Sequence, residues 1–230
     1  QNPHLGNDRF TDVIQYRLPS VDAREMVEAW QSASMIYPLV TGFHWGALDF
    51  QWYIESGQSQ PSVSKTPSGY HDATNFINLP PHKGTGNISI PEYVKAFVSN
   101  TPVQGITPLQ VAAYILKYSD IALTWAGKQS LANSHELRIT IDDIKTMAWL
   151  GKYYAHKIKA ATYLAIFRET LQKEWQNKTI DELNASAGYW RHYATLGLTN
   201  NHNPLWTNRV GYVDWKENFK WATYEIISSG

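Results

Sequence analysis

Cysteine is absent from the 230 residues. Disulfides, thiolate metal sites and a cysteine nucleophile are therefore excluded together. The absence does not fix a compartment, because many exported proteins also lack cysteine. Excess charge of either sign is missing too: twenty Lys and Arg balance twenty Asp and Glu, for a formal net charge of zero. Nucleic acids and anionic membrane surfaces recruit basic excess, and no Lys/Arg run is present, so no nucleic-acid partner is expected. No apolar run approaches the roughly 20 residues that cross a bilayer, so no membrane span is expected. The patterns HxxxH, HExxH, GxSxG and GxGxxG, the EF-hand loop and the P-loop do not occur. The usual markers of metal, serine-nucleophile and nucleotide chemistry are thus missing, and no cofactor is expected. The first residues, QNPHLGNDRF, carry neither Met nor a leader-like apolar core and read as a processed or excised piece.

Rings are what the chain has in quantity: ten Trp and fourteen Tyr. A ring with a polar tip suits a surface that grips something half apolar and half wet. Sugars fit that description, with C–H faces that stack and hydroxyls that seek hydrogen bonds. Helical cores use the same residues, and on composition alone the core reading is the stronger.

Helix starts recur. A Ser, Thr or Asp followed three residues later by an acid or Gln can satisfy two orphan N–H groups reciprocally. The pairs are Asp22 with Glu25, Ser89 with Glu92, Thr107 with Gln110, Thr140 with Asp143, Thr179 with Glu182, and Asp214 with Glu217. Pro108 stands in the first helical position after Thr107, where a missing N–H is harmless. After Thr140, Ile144, Met147, Ala148, Gly151, Tyr154, Ala155, Ile158, Ala161, Ala165 and Ile166 or Phe167 recur at helical steps. Helices over 107–126, 140–175, 179–198 and 214–228 predict a mainly α fold, an antiparallel up-and-down bundle with short joins such as QNK at 176–178. Residues 1–19 read as an irregular lead-in, with DVIQYRL a short strand or linker. Residues 20–88 read as an aromatic-rich helix, strand and long-loop region, and 89–230 as the bundle. Within the middle region YPLVTGFHW suggests a short buried strand, and 56–88 a Ser/Pro/Gly/Thr-rich loop of the length that usually serves function or is disordered.

Three constellations carry candidate chemistry. The first is His44, Trp45, Asp49, Trp52, Tyr53 and Glu55, with Tyr70, His71 and Asp72 across the loop. Carboxylates among rings are what glycoside cleavage needs: an acid for the leaving oxygen, a base or nucleophile, and stacking surfaces. The plainer reading puts Phe50, Trp52 and Ile54 in the core and leaves the acids solvated. For catalysis that reading wins, whereas for ligand contact the two stand about level. The second is His202, Trp206, Asn208, Arg209, Tyr212, Asp214 and Trp215 in an inter-helix loop, a place where binding residues concentrate. The plainer reading has Trp206 plugging the bundle end, Arg209 paired with an acid and Asp214 as an N-cap. The third is His156 with Lys152, Lys157 and Lys159, better explained by a solvent-facing helix side than by an anion site.

The segments YPLVTGFHWGALDFQWYIESGQSQP, NISIPEYVKAF, ELRITIDDIKTMAWLGKYYAHKIKAATYLAIF and NPLWTNRVGYVDW resemble the C-terminal, largely helical part of large exported bacterial glycoside-hydrolase-like proteins, α-glucuronidase-like in kind. The resemblance covers most of residues 20–228. It implies a secreted, cell-surface or periplasmic multidomain enzyme in which a (β/α)8 barrel precedes the helices. A barrel takes about 250 residues, so it cannot fit here beside the helices, and no family catalytic residue maps onto this chain. The resulting expectation is a helical module that contributes to domain packing and substrate binding, with carbohydrate and a preceding catalytic domain of the same polypeptide as partners. Its substrate-contact candidates are His44, Trp45, Asp49, Trp52, Tyr53, Tyr70, His71, Trp206 and Arg209. The alternative is a non-catalytic glycan-binding or scaffold helical protein.

Overall fold

The computed structural model describes residues 6–45, 52–129, 134–207 and 210–229. Among them are nine helices and two two-stranded antiparallel sheets, in agreement with a mainly α fold.

The lead-in is not irregular. Helix α1, Asn7–Arg17, starts with Asp8 in its first turn and ends on Arg17, which suits the helix dipole. Ile14 and Leu18, four residues apart, turn one stripe toward the core, and Arg17 pairs with Glu136 at 2.8 Å. Helix α2, Ala23–Phe43, is capped by the Asp22 carboxylate, which accepts from the Arg24 and Glu25 N–H groups. Its buried residues Met26, Ala29, Ala33, Ile36, Val40 and Phe43 step by three and four. That stripe carries the helix through Pro38, so YPLVTGF is helix rather than strand. The expectation failed because a proline normally removes one helical hydrogen bond, and here Ser34 and Pro38 both lie exposed. The carbonyl four residues back therefore faces water.

The expected long loop is a chain of small elements: β1 (Trp52–Tyr53), β2 (Gln58–Ser59), α3 (Pro61–Ser64) and α4 (Ala73–Asn78). Three later helices pin its first turn. Tyr154 Oη donates to Ile54 O at 2.5 Å, Tyr193 Oη donates to Glu55 O at 2.7 Å, and Asn218 Nδ2 donates to Ser56 O at 3.0 Å. Gly57 occupies the left-handed region there (φ 64°), which glycine adopts without strain.

The bundle comprises α5 (Ile90–Val98), α6 (Pro108–Lys128), α7 (His135–Thr170), α8 (Lys173–Asn200) and α9 (Trp215–Ser229), with β3 (Leu205–Thr207) and β4 (Gly211–Val213) between the last two. Helix α7 is central and packs on α2, α6 and α8, and α8 packs on α9. Ser89, Thr107 and Asp214 cap α5, α6 and α9 as their spacing predicts. Thr140 and Thr179 do not start helices. Each lies inside one and donates its hydroxyl back to a carbonyl four residues earlier, Glu136 O and Trp175 O. Helix α7 begins instead after Ser134, and the α7–α8 join falls at Leu171–Gln172 rather than at 176–178. One buried cluster runs from Leu18 to Ala222 and draws on both the aromatic-rich region and the bundle.

Gly151 lets α7 lie close against Ser119 of α6 and Ile36 of α2. A Cβ there would press on Ser119 Oγ and stand 2.9 Å from Ile36 Cδ1. Overpacking of this kind costs about 1–3 kcal/mol. Gly151→Ala is expected to lower the unfolding free energy in urea by that amount despite the better helix propensity of alanine, whereas Gly127→Ala on α6, with open space around it, is expected to raise it slightly.

Candidate functional site

The aromatic run divides at the end of α2. His44 closes that helix with its side chain buried, and its ring stacks 3.8 Å from Phe76 of α4. His44 Nε2 meets His71 Nδ1 at 2.8 Å, and His71 Nε2 meets Ser59 Oγ at 2.7 Å. Ser59 Oγ itself donates to Gln60 O. Ser59 must therefore accept from His71, which must accept from His44. Each imidazole is then neutral with its proton on Nε2, and within this His44–His71–Ser59 chain His44 Nδ1 is left as a bare acceptor. Burial pushes the His44 pKa well below its ordinary value and His71 down to about 3, with the nearby Lys157 charge acting in the same direction.

Beside this chain lies a buried ion pair. Lys157, on the same α7 stripe as Tyr153 and Tyr154, is fully buried. Its Nζ donates to Tyr70 Oη at 2.7 Å, Tyr153 Oη at 3.0 Å and Glu225 Oε1 at 3.0 Å. All three ammonium protons are used. Glu225 Oε2 accepts from the Ala73 N–H at the start of α4. Desolvation works against the lysine charge, but the Glu225 carboxylate and the Tyr153 hydroxyl outweigh it and hold its pKa above the usual value. Burial likewise pushes the Glu225 carboxyl up, against the pull of Lys157. A lysine whose three protons are engaged and whose charge is stabilised is no nucleophile. The cluster ties α7, α9 and residues 70–73 together. The solvent-facing reading of 152–159 fails at Lys157. Lys152, paired with Asp120 at 2.5 Å, and Lys159 and His156, both on Glu182, are half-buried ion-pair partners rather than a solvated face.

Of the sequence-predicted contact residues, His44, Tyr70 and His71 are thus core residues whose burial takes them out of reach of a ligand, a correction to their reading as substrate contacts. Trp52 is half-buried against the same core, with its indole N–H enclosed. Tyr53 is half-buried in β1. Asp49 and Arg209 lie outside the described residues.

Trp45 goes the other way. It is partly exposed, its backbone N–H donates to Pro80 O, and its ring meets His82 edge-on at 4.5 Å. His82 N–H in turn donates to Gly42 O, locking the 80–82 segment onto the end of α2. His82 opens into a shallow cleft of about 780 Å³ with Pro81, Lys83, Asn87, Ser89 and Glu92. The cleft's carboxylate, Glu92, accepts from Ser89 N–H and Oγ–H, which hold its pKa below the usual range. The acid is committed to a helix cap, so the cleft offers hydrogen bonds and a ring edge rather than an acid–base pair. Sequence reading did not single out His82; its position two residues after Pro80 carries no local signal.

On the hairpin, Trp206 and Tyr212 are register partners, so their side chains share a face. They are 63% and 70% exposed, while Val213 on the other face is buried. Trp206 therefore does not plug the bundle. Trp215 does so, packed on Gly197, where an added Cβ would stand 3.1 Å from the indole. Asp214 is the α9 N-cap, held by Asn203 Nδ2 at 3.0 Å. Among the described residues no group of three or more His, Asp or Glu is placed to hold a metal ion, and no helix is long and apolar enough to cross a membrane.

Two results follow for stability. Removing one partner of a buried ion pair typically costs about 3–5 kcal/mol. Lys157→Met is expected to destabilise by that much in urea unfolding. Adding Glu225→Gln, which keeps an acceptor for Ala73, is expected to restore part of the loss, so that a double-mutant cycle shows coupling of about 2 kcal/mol. The buried histidines have folded pKa values below the unfolded value of about 6.5, so the unfolded chain binds more protons as pH falls. Their contribution is complete above about pH 6.5 and is lost as pH falls toward 3, at up to about 1.4 kcal/mol per pH unit per histidine. Between pH 7 and 5, His71→Gln is expected to flatten the urea-midpoint profile relative to wild type; an unchanged slope would show that folding does not depress the His71 pKa.

No family model matches this chain, and no curated protein matches it. Four solved chains do. One is a GH138 enzyme targeting pectin rhamnogalacturonan II, with a TM-score of 0.78 at 16% sequence identity. The match takes in 100% of this chain and 35% of that one, so the 230 residues span about a third of the neighbour's length. At this identity the likeness is one of fold, and the chain has the fold of one segment of a glycoside hydrolase.

Proposed function

We propose that these residues are a helical module of a larger carbohydrate-active enzyme, working with a catalytic domain of the same polypeptide on a plant or host polysaccharide. The carrying observation is the end-to-end fold match to a third of a GH138 enzyme, whose named target is a pectin. The sequence resemblance to the C-terminal helices of exported α-glucuronidase-like proteins supports the same reading and adds its finer points: a C-terminal position and export to the periplasm or cell surface. Two observations support a binding and packing role for the module. The three protons of its buried lysine are engaged and the acid of its open cleft is occupied. Trp45 and His82 form the face turned toward glycan or catalytic domain.

The alternative, a non-catalytic glycan-binding protein, draws on one observation: two large rings side by side on the wet face of a hairpin, Trp206 and Tyr212.

Reducing-sugar release from pectic and other polysaccharides separates the two. The full-length polypeptide is expected to turn over, and the 230 residues alone are not. Trp45→Ala in the full-length enzyme is expected to raise KM about 3- to 10-fold, the range of one ring contact, with kcat held. Sustained turnover by the 230 residues alone would move catalysis into this chain. Glycan binding with no activity in the full-length protein would favour the alternative.

A further inference from the structure

A second, apolar groove involves the first two helices. Helices α1 and α2, with α6 and α7 beneath them, enclose a groove of about 1230 Å³. Phe10, Val13, Trp30, Met35, Tyr118 and Ile121 supply its apolar lining. Four of these are strongly exposed: Phe10 58%, Val13 57%, Trp30 47% and Met35 40%. Single exposed apolar residues are ordinary, whereas several lining one groove form a patch, and such patches mark interaction sites. The volume exceeds the roughly 300–1,000 Å³ of small-molecule sites. A helix about 10 Å wide would fill it with roughly three turns, which is the size of a protein element.

Helix α1 makes the same point. It has eleven residues and no side-chain cap on Gly6. Helices shorter than about 12–15 residues are marginal in water and take their stability from tertiary packing. Ile14 and Leu18 pack inward, while Phe10, Val13 and Tyr16 face solvent. Three of the four apolar side chains within the helix are therefore largely uncovered by the described residues. The rim carries both signs, with Arg17 paired to Glu136 and with Glu28 and Lys117 also present. An apolar centre with a mixed-charge rim is the anatomy of a protein interface rather than of an ion or sugar site. The same fold in a solved enzyme sits in a chain of which about two-thirds lies outside the match.

We propose that the groove walled by α1 and α2 seats an apolar element of the same polypeptide from outside these 230 residues, so that α1 is part of the contact between the module and the rest of the enzyme. This rests on the reading of the chain as part of a longer enzyme.

Hydrogen exchange on the full-length polypeptide tests it. The amides of α1 are expected to exchange at least about tenfold more slowly in the full-length protein than in the 230-residue chain. Phe10→Asp with Trp30→Asp in the full-length protein is expected to abolish that protection. In the 230-residue chain both positions are exposed, so the same substitutions are expected to leave thermal unfolding nearly unchanged there. Equal α1 exchange in the two proteins would overturn the inference, and if polysaccharide turnover persisted the proposed function would survive it. Protection that appears in the 230-residue chain as its concentration rises would overturn it in favour of a second copy of the chain. A reading frame that encodes nothing beyond these residues would remove both the inference and the enzyme-module reading.

Discussion

The Lys157–Glu225 pair is the constraint on which the rest of the structure depends. A lone ammonium at that depth is untenable, because a buried charge must be paired and hydrogen-bonded. Lysine's three donors therefore dictate three acceptors, and these come from three places in the chain: Tyr70 from the small-element region, Tyr153 from α7 itself and Glu225 from α9. Glu225 passes the constraint on by holding the first N–H of α4. Helix α4 in turn places Phe76 against His44, and His44 leads through His71 to Ser59. A polar chain thus joins the long central helix to residues that have little regular structure of their own.

That arrangement decides what the aromatic run can do. From Trp52 onward the chain is fixed to α7, α8 and α9 by carbonyl hydrogen bonds at 54, 55 and 56. Before it, Trp45 is held at the surface by the paired backbone contacts of residues 42–45 with 80–82. Composition suggested a gripping surface or an aromatic core. The described part of the run divides by residue: its histidine goes to the core while the neighbouring tryptophan is partly exposed.

Much of the helical skeleton was legible in sequence because capping and stripe periodicity are local. Asp22, Ser89, Thr107 and Asp214 each cap a helix. Thr140 and Thr179 show where the signal gives out: the same residue type at the same spacing also suits a helix interior, where the hydroxyl bonds back to a carbonyl. The strand expected at 37–45 failed because an apolar stripe on α2 outweighed one proline. Lys157 was partly legible, since it falls three and four residues after Tyr154 and Tyr153 on a buried stripe. Its partner was not, because nothing near position 225 signals that a glutamate there turns inward. The cleft beside Trp45 was likewise invisible, as it depends on a loop that returns to the end of α2 through backbone hydrogen bonds and one ring contact distant in sequence.

Glu225 follows Lys157 by 68 residues. The central helix therefore carries a charge whose counter-charge arrives from the far side of α8 and the β3–β4 hairpin. Until α9 docks, tight packing around α7 would enclose an ammonium without its carboxylate, so the core is penalised for closing early. Such a long-range requirement slows assembly, because the loop must close before the contact rewards it. It also discourages compact, partly folded forms in which four helices have gathered and the last has not. The ion pair acts in this way as a proofreading step on assembly, making the order of the interior conditional on the last helix.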